Sequence, residues 1–219
     1  MTVTIAEELL LLAYSEDEGK QLISATQLDP ALGGAILAEL AVNERIELSE
    51  KKVSVRDATP LGDEELDAAL ARMAEERRER RPVWWVQKLH SSKLRRRLLT
   101  RLTESGVLNE QRGKVLGVFP TTRWPEADGS VEAEVRERVA GALAGATPDA
   151  RTAVLIALAH ASKLDRKAFP GAGKERIREI AEGAWAADAV AKTIAAINSV
   201  IMVAAVSATV TAVDGGAGG

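Results

Sequence analysis

Apolar residues recur at intervals of three and four along most of the chain, which is the period of an amphipathic α-helix. Thr4 and Glu7 have the spacing of a capping box, and they precede the apolar run 9–12. The charged segment 63–81 and the amphipathic segment 130–143 show the same helical period. The pattern therefore predicts a mainly α-helical protein.

Two further helices are predicted to begin at a proline. Asp29 stands before Pro30, and Thr147 stands before Pro148. In each pair a residue type that caps helix N-termini precedes the residue that is best tolerated at the first helical position. Apolar residues at helical spacing follow both pairs, so we expect a helix to start at each of these prolines.

Alternation of apolar and polar residues occurs in two places, each directly after a predicted helix. The segments 45–48 and 53–56 are predicted to form a first β-hairpin. The second hairpin is predicted to pair 106–108 with 115–119 about a turn near 112–113. Two helix-and-hairpin units of this kind suggest winged-helix-like pieces, although shared turn chemistry explains the repeat equally well.

The segment 193–213 is apolar and uncharged, and it is long enough to span a bilayer. It is rich in Ala, Thr and Ser, contains Asn198 and lacks Leu, Phe and Trp, so its insertion into a membrane would be weak. We therefore expect a helix buried in a soluble core, beginning near Ala187. The expected organisation is one compact domain over 1–214 and a disordered glycine-rich tail over 215–219.

The residues that most enzyme and metal sites need are scarce. The chain has no cysteine and two histidines, and its N-terminus carries no targeting signal, which fits a reducing cytoplasmic compartment. The segment 168–175 fails the P-loop pattern because Ala168 replaces a glycine and Glu175 replaces the Ser or Thr. The acids of 63–67 favour a helix dipole more than a metal site, and His160 is expected in the core. We predict no catalytic residue, no metal and no cofactor.

Basic residues are concentrated in one segment of an acidic chain. Residues 77–101 hold ten basic side chains and one acid, a net charge of +9, whereas the whole chain carries −3. Acids at helical pair spacing accompany the basic residues of 77–81, which is typical of a solvated face. No nearby acid in the sequence accompanies the later ones, which are Lys93, Arg95, Arg96, Arg97 and Arg101. The surplus indicates an anionic partner such as lipid head groups or nucleic acid.

Several short blocks, taken in their order and spacing, resemble the Golgi phosphoprotein 3 family over nearly the whole chain. The blocks are 7–12, 37–41 with 45–48, 59–63 with 66–70, 97–98 with 104–108, and 155–162. Two further blocks, 119–125 and 180–185, suggest a bacterial member of that family.

The resemblance implies a compact helical domain that binds the cytosolic face of membranes without spanning them. In the eukaryotic members a shallow basic pocket binds phosphatidylinositol 4-phosphate, and a nearby hairpin inserts apolar side chains and supports self-association. Those members are adaptors for membrane enzymes. The implied partners are therefore an anionic lipid membrane, client membrane enzymes and a second copy of the chain, at the inner face of the membrane. The resemblance also implies that 193–213 is the central core helix.

Aligned by eye, the four pocket positions of the eukaryotic members fall at Ser24, Gly33, Ser92 and Arg95, so that only Arg95 keeps its basic side chain. Lys93 and Arg96 are candidates to replace the lost charge, although lysine lacks the planar fork with which arginine binds phosphate. The predicted head-group site consists of the residues Ser24, Gly33, Ser92, Lys93, Arg95 and Arg96.

Four residues are candidates for contact with the membrane itself. Trp84 and Trp85 lie among basic residues, where indoles suit the head-group level of a bilayer. A buried tryptophan under the basic helix is the alternative, and we expect one of the pair inside and one outside. Arg123 and Trp124 follow the second predicted hairpin, where they form either its membrane-facing tip or a packed loop.

A winged-helix nucleic-acid-binding protein is the alternative function. The helix-and-hairpin units and the arginine-rich helix motivate it. The acidic isoelectric point of about 5.6 and the absence of a base-reading recognition helix argue against it. The membrane interpretation is therefore preferred, with no nucleic acid among the expected partners.

Overall fold

The computed structural model describes residues 3–115 and 118–183. This part of the chain is mainly α-helical with two short antiparallel hairpins, as the sequence predicts. The helices are α1 (Ile5–Ala13), α2 (Ala25–Val42), α3 (Glu64–Glu75), α4 (Pro82–Leu89), α5 (Ser92–Glu104), α6 (Ser130–Leu143), α7 (Ala150–Ala161), α8 (Asp165–Ala168) and α9 (Lys174–Ala181). The strands are β1 (Ile46–Ser49), β2 (Lys52–Val55), β3 (Gln111–Val115) and β4 (Phe119–Arg123).

The C-terminal part of the chain is outside the described residues. The buried helix expected over 193–213, the domain end at 214 and the tail 215–219 all fall there. Among the helices that the structure does describe, none is both long and apolar enough to cross a membrane.

Helix α1 occupies the centre of the core. All nine of its residues are buried, and it packs against α2, α5, α6 and α7. The leucine run 9–12 makes the helix apolar on every side, and such a helix is stable only when other elements surround it. Burying one leucine side chain contributes about 1.5–3 kcal/mol, so this run is a large share of the core's hydrophobic stabilisation.

The capping box predicted at the start of α1 is confirmed. The backbone N–H of Glu7 donates to Thr4 Oγ1 at 3.3 Å, and the backbone N–H of Thr4 donates to Glu7 Oε2 at 2.8 Å. Both glutamates of this first turn, Glu7 and Glu8, are buried. A buried carboxylate needs a charged partner, and α1 itself offers none.

Arginines from three other helices supply the opposite charges. Glu7 pairs with Arg101 of α5 at 2.6 Å, and Glu8 pairs with Arg138 of α6 at 2.6 Å and Arg151 of α7 at 3.0 Å. Arg151 also pairs with the buried Glu39 of α2 at 2.6 Å. We call these residues the α1 charge network, and its members are Glu7, Glu8, Glu39, Arg101, Arg138 and Arg151.

Burial raises the pKa of Glu39, against the opposing effect of the Arg151 guanidinium. Its second oxygen accepts a hydrogen bond from the backbone N–H of Ile5. Glu39 therefore joins α2 to the first turn of α1 as well as to α7. The network holds five helices in one arrangement.

Helix α2 begins earlier than predicted, at Ala25 rather than Pro30. Ser24 is its N-cap residue, and the backbone N–H of Ser24 donates to the Gln27 side chain at 3.2 Å. Asp29 lies inside the helix and faces Arg95 of α5, so a contact between helices replaces the expected cap. Pro30 is accommodated within the helix, where it removes one backbone hydrogen bond.

Two other helix ends differ from the prediction. The N-cap of α7 is Asp149, whose carboxylate accepts from the backbone N–H of Thr152 at 2.7 Å, so Pro148 precedes the helix. The helix predicted over 63–81 ends at Glu75. Beyond a bend, Arg80 forms an isolated antiparallel bridge with Val53, whose backbone N–H donates to the Arg80 carbonyl at 2.8 Å. The helix predicted over 130–143 is confirmed as α6.

The first hairpin is confirmed within one residue. Strands β1 and β2 pair Ile46 with Val55 and Ser49 with Lys52. The two loop residues, Glu50 and Lys51, have φ values of 49° and 63°. Positive φ at both positions is the geometry that matches a tight turn to the twist of the strands.

The predicted register of the second hairpin is wrong. The backbone N–H groups of Val107 and Leu108 donate to the Leu102 carbonyl at 2.9 and 3.1 Å, so this segment ends α5 and is no strand. The strands are β3 and β4, and the predicted turn at 112–113 lies inside β3. The described side chains of β3 are all exposed, so the strand has no apolar alternation to mark it. The two helix-and-hairpin units thus differ where the sequence suggested a repeat.

Replacing Arg151 with methionine should lower the free energy of unfolding by about 3 kcal/mol or more, because Glu39 is then a buried charge without its guanidinium. The additional change Glu39→Gln should restore part of that loss, since the amide is neutral and still accepts from Ile5. Urea denaturation at neutral pH measures both effects.

The matched control is Arg178→Met on α9, where the guanidinium is exposed and lies 3.9 Å from Glu182. This variant should change stability little, because exposed pairs contribute little. Equal effects of the changes at Arg151 and Arg178 would show that the α1 charge network is not a main source of stability.

Candidate anion site at the start of helix α5

The first turn of α5 is a cationic helix N-terminus. Ser91 caps it, with its hydroxyl accepting from the backbone N–H of Leu94 at 3.0 Å. The first turn contains no acidic residue. Lys93 lies in this turn, and Arg95 and Arg96 follow it in the sequence of the helix. Free backbone N–H groups and the helix dipole favour an anion at such an end.

Arg95 is held between α2 and the loop 14–21. Its Nη1 donates to Gln21 Oε1 at 3.1 Å, and its Nε lies 3.4 Å from Asp29 Oδ1. Gln21 is itself fixed, since its Oε1 accepts from the Tyr14 hydroxyl at 3.2 Å and its Nε2 donates to the Ile23 carbonyl at 2.6 Å. Arg95 is therefore a positioned, largely buried cation.

The burial of this cluster shifts two pKa values. Burial raises the pKa of Tyr14 to about 12, although Arg95 acts to lower it, so the hydroxyl remains a hydrogen-bond donor. Burial also raises the pKa of Asp29, while Arg95 and His90 oppose the shift. The charge of Asp29 is thus compensated only in part.

Lys93 and Arg96 differ from Arg95. Both side chains are exposed, and neither forms an ion pair with any residue between 3 and 183 that the structure describes. Ser92 is exposed beside them. Ser24 is exposed at the start of α2, where its hydroxyl lies 2.8 Å from that of Thr26. Lys93 and Arg96 are therefore the exposed charges of the site.

In the sequence no nearby acid accompanies Arg97 or Arg101, but in the structure both arginines form ion pairs with acidic side chains. Arg97 Nη2 donates to Glu65 Oε2 of α3 at 2.8 Å. Arg101 pairs with Glu7 of α1 and also with Asp63, at 2.7 Å. The expectation failed because these acids are distant in the sequence and approach α5 only in the folded chain.

Gly33 is buried where α2 crosses the end of α4. A Cβ atom at this position would lie 3.0 Å from the backbone nitrogen of His90 and 3.0 Å from the carbonyl oxygen of Val86. These two atoms are joined by a hydrogen bond of 3.0 Å, so they cannot easily separate. No side chain fits at Gly33 without moving α4 away from α2.

The tryptophan pair divides as expected, with one indole inside and one at the surface. Trp85 is 2% exposed and belongs to the core. Trp84 is half-buried, and its ring meets that of Trp85 edge to face with centroids 4.7 Å apart. The guanidinium of Arg80 lies 4.8 Å from the Trp84 ring centroid, and the Lys88 ammonium lies 5.9 Å from it.

Trp124 packs against the loop 14–21 instead of forming a tip. Its side chain is buried, and its backbone N–H donates to the Gly19 carbonyl at 2.9 Å. Gly19 has a φ of 59°, and a Cβ there would lie 2.3 Å from the Trp124 backbone, so only glycine fits. Arg123 is half-buried opposite Gln111 at the base of the hairpin. Membrane contact by Trp85 and Trp124 does not fit their burial.

The exposed end of the second hairpin carries the apolar residues that the sequence analysis missed. Val118 is 72% exposed and Phe119 is 64% exposed, the largest values for big hydrophobic side chains in the described part. Phe119 falls at the end of the predicted strand 115–119, because the turn was placed at 112–113. The apolar run 115–120, which interrupts an otherwise polar segment, was the available signal.

One loop, 14–21, connects the base of this hairpin to Arg95 at the start of α5. The backbone N–H groups of Trp124 and Glu126 donate to the carbonyls of Gly19 and Glu16 at 2.9 and 3.1 Å. The same loop supplies Gln21 to Arg95. The loop 14–21 therefore joins the hairpin base to the start of α5.

The family model of Golgi phosphoprotein 3 (GPP34) matches residues 5–197. The chain belongs to the Golgi phosphoprotein 3 family. The match begins at the first residue of α1 and includes both hairpins and every residue of the anion site. The family is linked to phosphatidylinositol 4-phosphate binding.

The other groups singled out in the sequence have structural roles in this family member. Asp63 caps α3, accepting from the backbone N–H groups of Glu65 and Leu66 at 3.1 Å. His160 Nδ1 lies 2.7 Å from Asp165 Oδ2, and its side chain is 31% exposed, so His160 lies at the edge of the core and not inside it as predicted. Within the described ranges, no three His, Asp or Glu side chains are grouped to hold a metal ion.

Replacing Gly33 with alanine should destabilise the protein, although alanine favours a helix by about 1 kcal/mol. The added methyl group meets the backbone of α4, and such overpacking costs about 1–3 kcal/mol. The matched control is Gly141→Ala in α6, where an added Cβ has no heavy atom within 4 Å. That variant should gain up to about 1 kcal/mol. Urea denaturation compares the two, and an equal gain would contradict the close contact.

Proposed function

We propose that this protein is a non-catalytic, peripheral binder of anionic membranes. The start of α5 binds the phosphate of a phosphoinositide-like head group, and the tip of the β3–β4 hairpin enters the bilayer. The observation that carries the proposal is the pair of exposed cations Lys93 and Arg96, which form no ion pair within the described ranges, on a helix start without acids. The loop 14–21 supports it, because this loop contacts Arg95 of the same helix start and the base of the hairpin that carries the exposed Val118 and Phe119.

The two parts of the surface complement each other energetically. Each basic residue near an anionic membrane contributes about 1 kcal/mol, so Lys93 and Arg96 alone give weak attachment. Full burial of an apolar side chain such as Val118 or Phe119 contributes about 1.5–3 kcal/mol. Stable peripheral binding usually requires two such signals together, and this surface offers both.

A 4-phosphorylated inositol head group is the proposed ligand. Arg95 keeps the basic residue that the family resemblance places in the pocket, and its planar fork suits a phosphate. Lys93 and Arg96 replace the charge that is lost at Gly33 and Ser92, and Ser24 and Ser92 offer hydroxyl groups. Trp84 and Arg123 are further candidates for contact at the head-group level. In this proposal the protein lies at the inner face of the membrane, binds client membrane enzymes and associates with a second copy of itself.

The first test is vesicle co-flotation at near-physiological salt with neutral lipid, phosphatidylinositol, cardiolipin and phosphatidylinositol 4-phosphate at matched surface charge. The parent protein should prefer the 4-phosphate. Lys93→Ala/Arg96→Ala should weaken binding at least tenfold, because two cations of about 1 kcal/mol each are removed. The matched control Arg166→Ala/Lys167→Ala removes two exposed cations from α8 and should have little effect. An equal loss in both variants would place the head-group site elsewhere.

The second test separates insertion from head-group recognition. Val118→Asp/Phe119→Asp should abolish flotation with vesicles, because charged side chains at the tip oppose entry into the bilayer. Calorimetric binding of the soluble inositol 1,4-bisphosphate head group should stay unchanged, since the tip does not contact it. Val83→Asp, at a 39% exposed position of α4, serves as the control substitution. Unchanged flotation of the tip variant would show that the hairpin does not insert.

A further inference from the structure

We propose that Asp29 is an internal competitor for Arg95, so that the phosphate of an anionic head group must displace or overcome its carboxylate. Asp29 thereby sets the affinity of the site. This inference rests on the proposed function, because it concerns the same cationic helix start.

The contact between Asp29 and Arg95 is an ion pair without a hydrogen bond. Asp29 Oδ1 lies 3.4 Å from Arg95 Nε, and this oxygen is buried without a hydrogen-bond partner among residues 3–115 and 118–183. An arginine normally binds a carboxylate through two parallel hydrogen bonds. The internal pair is therefore weaker than the pair that Arg95 could form with a well-placed phosphate.

Arg95 keeps one edge available to a ligand. Its Nη1 is bonded to Gln21 and its Nε faces Asp29, whereas its Nη2 has no hydrogen bond within the described chain. The side chain is 17% exposed, so part of it meets solvent. A phosphate that binds this edge comes close to the Asp29 carboxylate and is repelled by it.

The surroundings of Asp29 favour its displacement. Its side chain is 15% exposed, and the charged or titratable groups that face it are Arg95, His90 and Tyr14. Burial raises the pKa of Asp29 even with Arg95 and His90 beside it, which shows that the carboxylate is held at an electrostatic cost. Tyr14 acts on Gln21 and gives Asp29 no hydrogen bond.

The test is the substitution Asp29→Asn, which keeps the shape of the side chain and removes its charge. Binding to phosphatidylinositol 4-phosphate vesicles, and to soluble inositol 1,4-bisphosphate by calorimetry, should tighten about tenfold. The matched control is Glu18→Gln, which removes one exposed acid from the neighbouring loop and releases Lys20, its partner at 2.7 Å. That control should change either affinity by less than about twofold.

A double-mutant cycle with Arg95→Gln identifies the group on which Asp29 acts. In the Arg95→Gln background the change Asp29→Asn should give no gain, because the contested guanidinium is absent. A gain that persists there, or an equal gain from Glu18→Gln, would reveal a general charge effect and overturn the inference. Asp29→Ser, with urea denaturation of each variant, provides a second route if the asparagine variant folds poorly.

The inference and the proposed function can fail separately. Weaker binding by Lys93→Ala/Arg96→Ala, together with unchanged binding by Asp29→Asn, would keep the lipid site and reject Asp29 as a competitor. Tighter binding by Asp29→Asn without an effect of Lys93→Ala/Arg96→Ala would keep the competition for Arg95 and reject the site built on the two exposed cations. No vesicle or head-group binding by either the parent or Asp29→Asn would overturn both.

Discussion

The arrangement of this protein depends on the two carboxylates that α1 carries into the core. Glu7 and Glu8 are buried at the start of a helix that is otherwise apolar, and their charge must be compensated there. The compensation comes from α5, α6 and α7, and Arg151 extends it to Glu39 of α2. Hydrophobic burial and close packing hold these helices together, and the ion pairs add directional contacts between them.

This constraint also makes the two ends of the basic helix α5 different. Arg101, in the last turn of the helix, is tied to Glu7 and Asp63, and Arg97 in the middle is tied to Glu65. Near the start of α5, only Arg95 forms an ion pair with another residue of the described chain. The C-terminal half of α5 is therefore held by ion pairs to other elements, whereas the charges of Lys93 and Arg96 near its N-terminus face solvent.

The loop 14–21 couples that free end to the apolar hairpin. Gly19 allows Trp124 to pack directly on the loop backbone, and Gln21 holds Arg95 from the other side. Burial of Trp124 thus fixes the base of the hairpin and leaves Val118 and Phe119 exposed. The membrane-binding surface that we propose combines the exposed cations of α5 with these exposed apolar side chains.

The sequence by itself determined the features that depend on contacts within a few residues. These include the helical class, the Thr4–Glu7 capping box, the bounds of α6 and the first hairpin with its tight turn. The order and spacing of short blocks also determined the family. The sequence also identified the candidate cations, because they lie in one strongly basic predicted helix.

Only the tertiary structure decided which of those cations are free, where α2 begins and where the second hairpin turns. Arg97 meets Glu65 across 32 positions of the sequence, Arg95 meets Gln21 across 74, and Arg101 meets Glu7 across 94. Asp29 faces Arg95 instead of capping a helix, and the exposed β3 lacks the alternation that marks a half-buried strand. Local periodicity carries no information about such pairs, because their energy exists only after the core has brought distant segments together.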